Sequence, residues 1–175
     1  RAAWPRTRVR VPARRRRNVP DRVPVRAEQR DVGECHARFA EQREGGFAEP
    51  LAQAGLKRVN VSLDYLRNAH FCRITGGHSV EKVIAGLNAA RQAGLEPIKV
   101  NVVVVRDMND AEITDMVEFA EENAYHIRFI EFMPLDGRHE WRPDRIVTVD
   151  EIRAQIEKRF ALTPLLDSGS PGDEY

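Results

Sequence analysis

Lys99 and Asn101 are the first residues that suggest chemistry, because they are the only polar positions in the run Ile98 to Val105. Side chains alternate along a strand, so two residues two apart share one face. An unpaired lysine buried among valines is costly. Two readings follow: Lys99 reaches to an edge, or it meets an anion with Asn101 supplying a hydrogen bond beside it. Ser62 and Asp64 close a second alternating stretch, Lys57 to Asp64. No histidine adjoins them in sequence, so a hydrogen-bonding serine at a loop start is a simpler reading than a catalytic triad. Arg128 and Glu131 fall on opposite faces of a third stretch, His126 to Phe132, so one of them is expected to face solvent or an ion-pair partner. Met133, before Pro134, reads by default as a packing residue. Gly76 and Gly77 precede a helix start, where backbone amides could hold a phosphate, but they complete no phosphate-loop pattern. His36, His70, His78, His126 and His139 lack metal-ligand spacing, and Cys35 and Cys72 form no CxxC pair. No metal ligand and no catalytic residue is assigned.

The elements that position these residues alternate in type. Phe47 to Ala54 reads as a helix closed by Gly55, with Pro50 tolerable only in its first turn. Residues 65–78 read as a connector with a helical piece around Ala69 to Ile74. Ser79 is a good N-cap for a helix carrying Val83, Ile84, Leu87 and Ala90 as an apolar stripe and ending at Gly94. Asn109 with Glu112 reads as a capping box for a helix over 110–123, with Ile113, Met116, Val117 and Ala120 inward. Thr148 with Glu151 repeats that pattern for a helix to about Phe160, and residues 167–175 read as loop. Strand and helix in alternation imply parallel strands with right-handed crossovers, in a barrel or an open doubly wound sheet. Three strands leave both sheet edges open, which marks part of a domain.

The 175 residues carry a formal charge of +1 that conceals an asymmetry. Residues 1–46 contain thirteen arginines, no lysine and six acids, so they hold about +7, against about −6 for residues 47–175. This first segment, with four prolines and Arg14 to Arg17 in a row, reads as a disordered basic arm. Its arginine, proline, alanine and valine content without lysine also fits GC-rich DNA translated out of frame, or a mis-called start. No run approaches the ~20 apolar residues of a membrane span, no signal-peptide core follows the arginines, and two cysteines make no disulfide framework. The cytoplasm is the expected compartment.

Four ordered stretches carry a further signal: Ala54 to Asp64 (AGLKRVNVSLD), Phe71 to Gly77 (FCRITGG), Ala93 to Asn101 (AGLEPIKVN) and Arg128 to Gly137 (RFIEFMPLDG). Together with Trp141, the Thr148 helix and the closing Ser168 to Gly172, they resemble the GTP 3′,8-cyclase family of radical S-adenosylmethionine enzymes. The resemblance covers about residues 47–175 and implies an α/β fold, the later half of a partial parallel (β/α) barrel. It implies that Ser62 and Met133 contact S-adenosylmethionine and that Lys99 binds GTP. Asn101 and Arg128 join the same polar lining, grouped with the cofactor contacts. In the family, a reduced 4Fe-4S cluster cleaves S-adenosylmethionine to a radical that takes hydrogen from C3′ of GTP, after which that carbon attacks C8, in molybdenum cofactor synthesis. The family's CxxxCxxC has no counterpart here, nor do its Thr-Thr-Asn-Gly strand end, C-terminal cysteines and glycine tail. Three thiolates are needed for the radical cluster, so the chain as written is expected to be inactive and poorly folded alone. A homodimer is expected of the full-length protein, and no membrane partner. Another radical S-adenosylmethionine enzyme is an alternative, against which RFIEFMP and KVN stand. So is a non-catalytic nucleic-acid binder using the arginine-rich arm, whose affinity would fall steeply with salt.

Overall fold

Valine and isoleucine stack side by side at the centre of the sheet, where three parallel strands pair: β3 (Arg58–Ser62), β4 (Ile98–Val104) and β5 (His126–Glu131). The computed structural model describes residues 9–12, 34–36, 47–134, 141–164 and 172–174, with side chains described for 47–134 and 141–164. Three short strands extend the sheet on both sides. β2 (Glu34–His36) runs parallel beside β3, β1 (Val9–Pro12) runs parallel beside β5, and β6 (Gly172–Glu174) lies antiparallel on β1. The order is β2-β3-β4-β5-β1-β6.

The two edges that the sequence left open are therefore covered. Two pieces come from the arginine-rich segment, and one comes from closing residues expected to be loop. That expectation is corrected at 172–174, where backbone pairing with β1 makes a strand. The rest of residues 1–46, on which the disordered and out-of-frame readings bear, lies outside the described residues, as do residues 165–171.

Helices α1 (Ala48–Gln53), α2 (Asn68–Thr75), α3 (Val80–Gln92), α4 (Ile113–Glu122) and α5 (Val149–Ile156) follow the expected order, but α4 starts at Ile113 rather than 110 and α5 ends at Ile156 rather than near Phe160. One face of the central strands, with Val100, Val102, Ile127 and Phe129 each at most 2% exposed, joins Leu87, Met116 and Ile152 in one core. Burying each such side chain contributes roughly 1.5–3 kcal/mol. Ile84 packs at the margin of that core rather than inside it. Among the described residues no helix is long and apolar enough to cross a membrane.

Helix starts follow local chemistry. Ser79 Oγ accepts from the Lys82 amide at 3.4 Å. Thr148 and Glu151 form the full reciprocal box: Thr148 Oγ1 accepts from the Glu151 amide, and Glu151 Oε2 accepts from the Thr148 amide at 2.8 Å. Arg106 ties this box to the sheet by donating to Glu151 Oε1 at 2.7 Å and to the Ile146 carbonyl at 2.8 Å. Thr148→Ala should lower stability by about 1 kcal/mol. Urea denaturation checks this, and an unchanged midpoint would contradict it.

Candidate functional site: a polar row across three strands

The face of β3, β4 and β5 opposite the core is polar because the period of two sorts it so. Backbone register then decides which residues meet. Asn60 pairs with Lys99, and Lys99 with His126; one step along, Ser62 pairs with Asn101, and Asn101 with Arg128. With strands ~4.8 Å apart, the row Ser62–Asn101–Arg128 is roughly 10 Å wide. It starts at the C-terminal end of β3 and crosses the middle of β4 and of β5.

The chemistry of this row is unsatisfied. Asn101 Oδ1 and Arg128 Nε are closed off from solvent and have no hydrogen-bond partner among the described residues. Each such group costs about 1–3 kcal/mol. An acceptor and a donor buried on adjacent strands suit a ligand that carries both functions. The edge reading for Lys99 fails, since β4 is flanked by β3 and β5. Lys99, Asn60 and His126 sit together on the polar face, and none of the three is without a partner.

Met133 follows the end of β5 and is 43% exposed, so the packing reading is corrected. The Trp141 indole N–H donates to the Phe132 carbonyl at 3.2 Å and fixes the chain beside Met133. Glu131 lies opposite Arg128, as the spacing required, and its Oε1 accepts from the Val149 amide at the start of α5, at 2.8 Å. Gly76 and Gly77 end α2 rather than cradle a phosphate. Gly76 adopts φ 75°, and the Gly77 amide donates to the Cys72 carbonyl at 2.8 Å. The first amide of α3 is already taken, since Val80 donates to Asn68 Oδ1 at 3.0 Å.

Asn109 and Glu112 are where the sequence reading fails. They form no capping box: a short 3₁₀ turn over Asp110–Glu112 precedes α4, and α4 has no side-chain cap. Instead Asn109 Oδ1 accepts from the Val105 amide, while Asn109 Nδ2 donates to the carbonyls of Asp64 and Val103, all at 2.8 Å. Glu112 Oε2 accepts from the Leu66 amide at 2.8 Å, and its Oε1 stands 3.7 Å from both Arg67 Nε and His70 Nδ1. The physical reason is that β4 outruns β3, so its last backbone groups need partners. Buried polar side chains supply them in preference to a solvent-exposed cap.

Asp64 belongs to the same group, its Oδ1 accepting from the Val103 amide at 2.8 Å. Burial raises its carboxyl pKa above 3.8, and the Val103 amide only partly opposes this. With the folded pKa raised, the native state holds the proton that the unfolded chain has released. Stability attributable to Asp64 is thus greatest below pH 3.8 and is lost as pH rises through the folded pKa. Wild type should therefore lose stability relative to Asp64→Asn as pH climbs from 3.8 toward neutrality. Paired denaturation curves would contradict this if the difference were flat or of opposite slope.

Among the described residues no group of three or more His, Cys, Asp or Glu is arranged to hold a metal ion. Cys72 is half-buried on α2, and the sequence contains two cysteines in all. This does not fit the three thiolates of a 4Fe-4S cluster with one open iron.

Residues 35–120 match the radical SAM superfamily. The match begins inside the segment that composition had set apart. Within that class the chain is similar to GTP 3′,8-cyclases. It is 47% identical over 116 residues to the GTP 3′,8-cyclase of Streptomyces coelicolor, covering 66% of this chain and 34% of the relative. It is 46% identical over 130 residues to GTP 3′,8-cyclase 2 of Pseudomonas aeruginosa, covering 73% and 39%. The GTP 3′,8-cyclase of Paenarthrobacter nicotinovorans is 42% identical over 128 residues, covering 72% and 36%. The chain thus spans 34–39% of the length of these relatives.

Proposed function

We propose that this chain carries part of the ligand-binding face of a GTP 3′,8-cyclase, a lyase acting in the cytoplasm in molybdenum cofactor synthesis. The observation that carries the reading is the pair Asn101 Oδ1 and Arg128 Nε, without a hydrogen-bond partner among the described residues and in register with Ser62. In this reading Ser62, Asn101, Arg128 and Met133 hold S-adenosylmethionine. Asn101 Oδ1 accepts from a hydroxyl or ammonium group, and the Arg128 guanidinium donates to a carboxylate. Lys99, one step deeper on the same face, attracts the triphosphate of GTP as a point charge. S-adenosylmethionine held here would yield a hydrogen-abstracting group only with an electron from a reduced 4Fe-4S cluster, and the part of this chain's own residues is to bind and orient. No step is routed through a 4Fe-4S cluster, because Cys35 and Cys72 do not make its ligand set. As a complete enzyme, the cyclase is proposed to be a homodimer.

Calorimetric titration of the chain with GTP and with S-adenosylmethionine tests this. Lys99→Met should weaken GTP about tenfold or more, the loss of a charge-assisted contact, and leave S-adenosylmethionine within about twofold. A wild-type chain that binds neither ligand would overturn the reading, as would equal effects on both.

A further inference from the structure

We propose that Asp64, Asn109 and Glu112 act as one positioning unit that holds the connector between β3 and α2 against the end of β4, and so fixes Ser62 and Asn101 in the row that takes the ligand. The inference rests on the binding-face reading for its consequence, though not for its geometry.

The backbone pairing of β3 with β4 has its last rung at Leu63, whose amide donates to the Asn101 carbonyl at 3.0 Å. Beyond it, side chains take over the role of backbone. The Asp64 carboxylate accepts from the Val103 amide, where a continuing strand would have offered a carbonyl. One Asn109 side chain then closes three bonds, to Val105, Val103 and Asp64. Glu112 extends the unit to Leu66, with Arg67 and His70 beside its carboxylate. Asn109 and Glu112 are only 4% and 3% exposed, which helix capping alone does not require. Ser62 and Asn101 each lie two positions from a residue bonded by this unit. Movement of the connector therefore displaces the row itself. None of the three touches the proposed ligand positions; they act through the strands.

Bond polarity separates the variants. Asp64→Asn keeps an acceptor for the Val103 amide, whereas Asp64→Ala removes it. Asn109→Asp keeps the shape but sets an oxygen against the carbonyls of Asp64 and Val103. Amide hydrogen exchange and ¹⁵N–¹H spectra of the ligand-free 175-residue chain read the result. Asp64→Ala should speed exchange at Val103, whose amide loses its acceptor, about tenfold or more, whereas Asn109→Asp keeps the acceptor for the Val105 amide and acts by breaking the two donor bonds to the Asp64 and Val103 carbonyls. Both should shift the Ser62, Asn101 and Arg128 signals, and Asp64→Asn should return them toward wild type. Leu87→Ala, which loosens the core under α3, should leave those three signals in place while the chain is folded. Should Asp64→Ala not fold, Asn109→Asp and Asp64→Asn decide by the same signals. Unmoved Ser62 and Asn101 signals in Asn109→Asp would overturn the proposal, as would equal shifts in Leu87→Ala. GTP and S-adenosylmethionine added to the same samples test the binding reading separately. Shifted signals in the variants with no ligand binding by wild type would keep the positioning unit and remove the binding face.

Discussion

Arg128→Met should make the ligand-free chain more stable and its binding of S-adenosylmethionine weaker. Arg128 Nε is sealed from solvent with no hydrogen-bond partner among the described residues. Methionine has similar length, fills irregular space and carries no donor to strand. Removing the stranded donor should raise stability by about 1 kcal/mol. The same change deletes a charge-assisted contact to the ligand, which should weaken binding about tenfold or more. Denaturant melts and calorimetric titration check the two signs together. A destabilised variant with unchanged binding would make Arg128 an ordinary structural residue.

The neighbouring position should respond in the opposite sense. Phe129 is 1% exposed and faces the core from β5, in register with Val102. Phe129→Ala removes a ring from packed surroundings, and such changes typically lower stability by about 3–5 kcal/mol. Against a total of about 5–15 kcal/mol for a domain of this kind, much of the chain should unfold in mild urea. A loss below about 1 kcal/mol would mean that the core collapses around the gap, or that β5 is not central to the sheet. One strand thus carries stability on one face and ligand affinity on the other.

Period and local chemistry made much of this visible in the sequence. β3, β4 and β5 follow from β-branched alternation, and α3 from its apolar stripe behind Ser79. The Thr148–Glu151 box was legible because both partners lie within four residues. Asn109 and Glu112 have the same spacing, yet their partners lie elsewhere, on Asp64, Leu66, Val103 and Val105. Only the difference in length between β3 and β4 decides that competition, and strand ends are not fixed by local sequence. β1, β2 and β6 span three or four residues, too few to carry a period, and exist through pairing alone. The site shows the same division. Lys99 and Asn101 could be placed on one face from their spacing. The alignment of Ser62, Asn101 and Arg128 depends on register, which a one-residue slip would destroy.

The central claim is that the polar row is where ligand binds. Its most direct test is to titrate S-adenosylmethionine into the ¹⁵N-labelled chain and map the signals that move. The account predicts shifts centred on Ser62, Asn101, Arg128 and Met133, with the α1–α3 side around Ala52 and Ala89 unchanged. Shifts confined to that helical side, or none at any position at millimolar ligand, would contradict it.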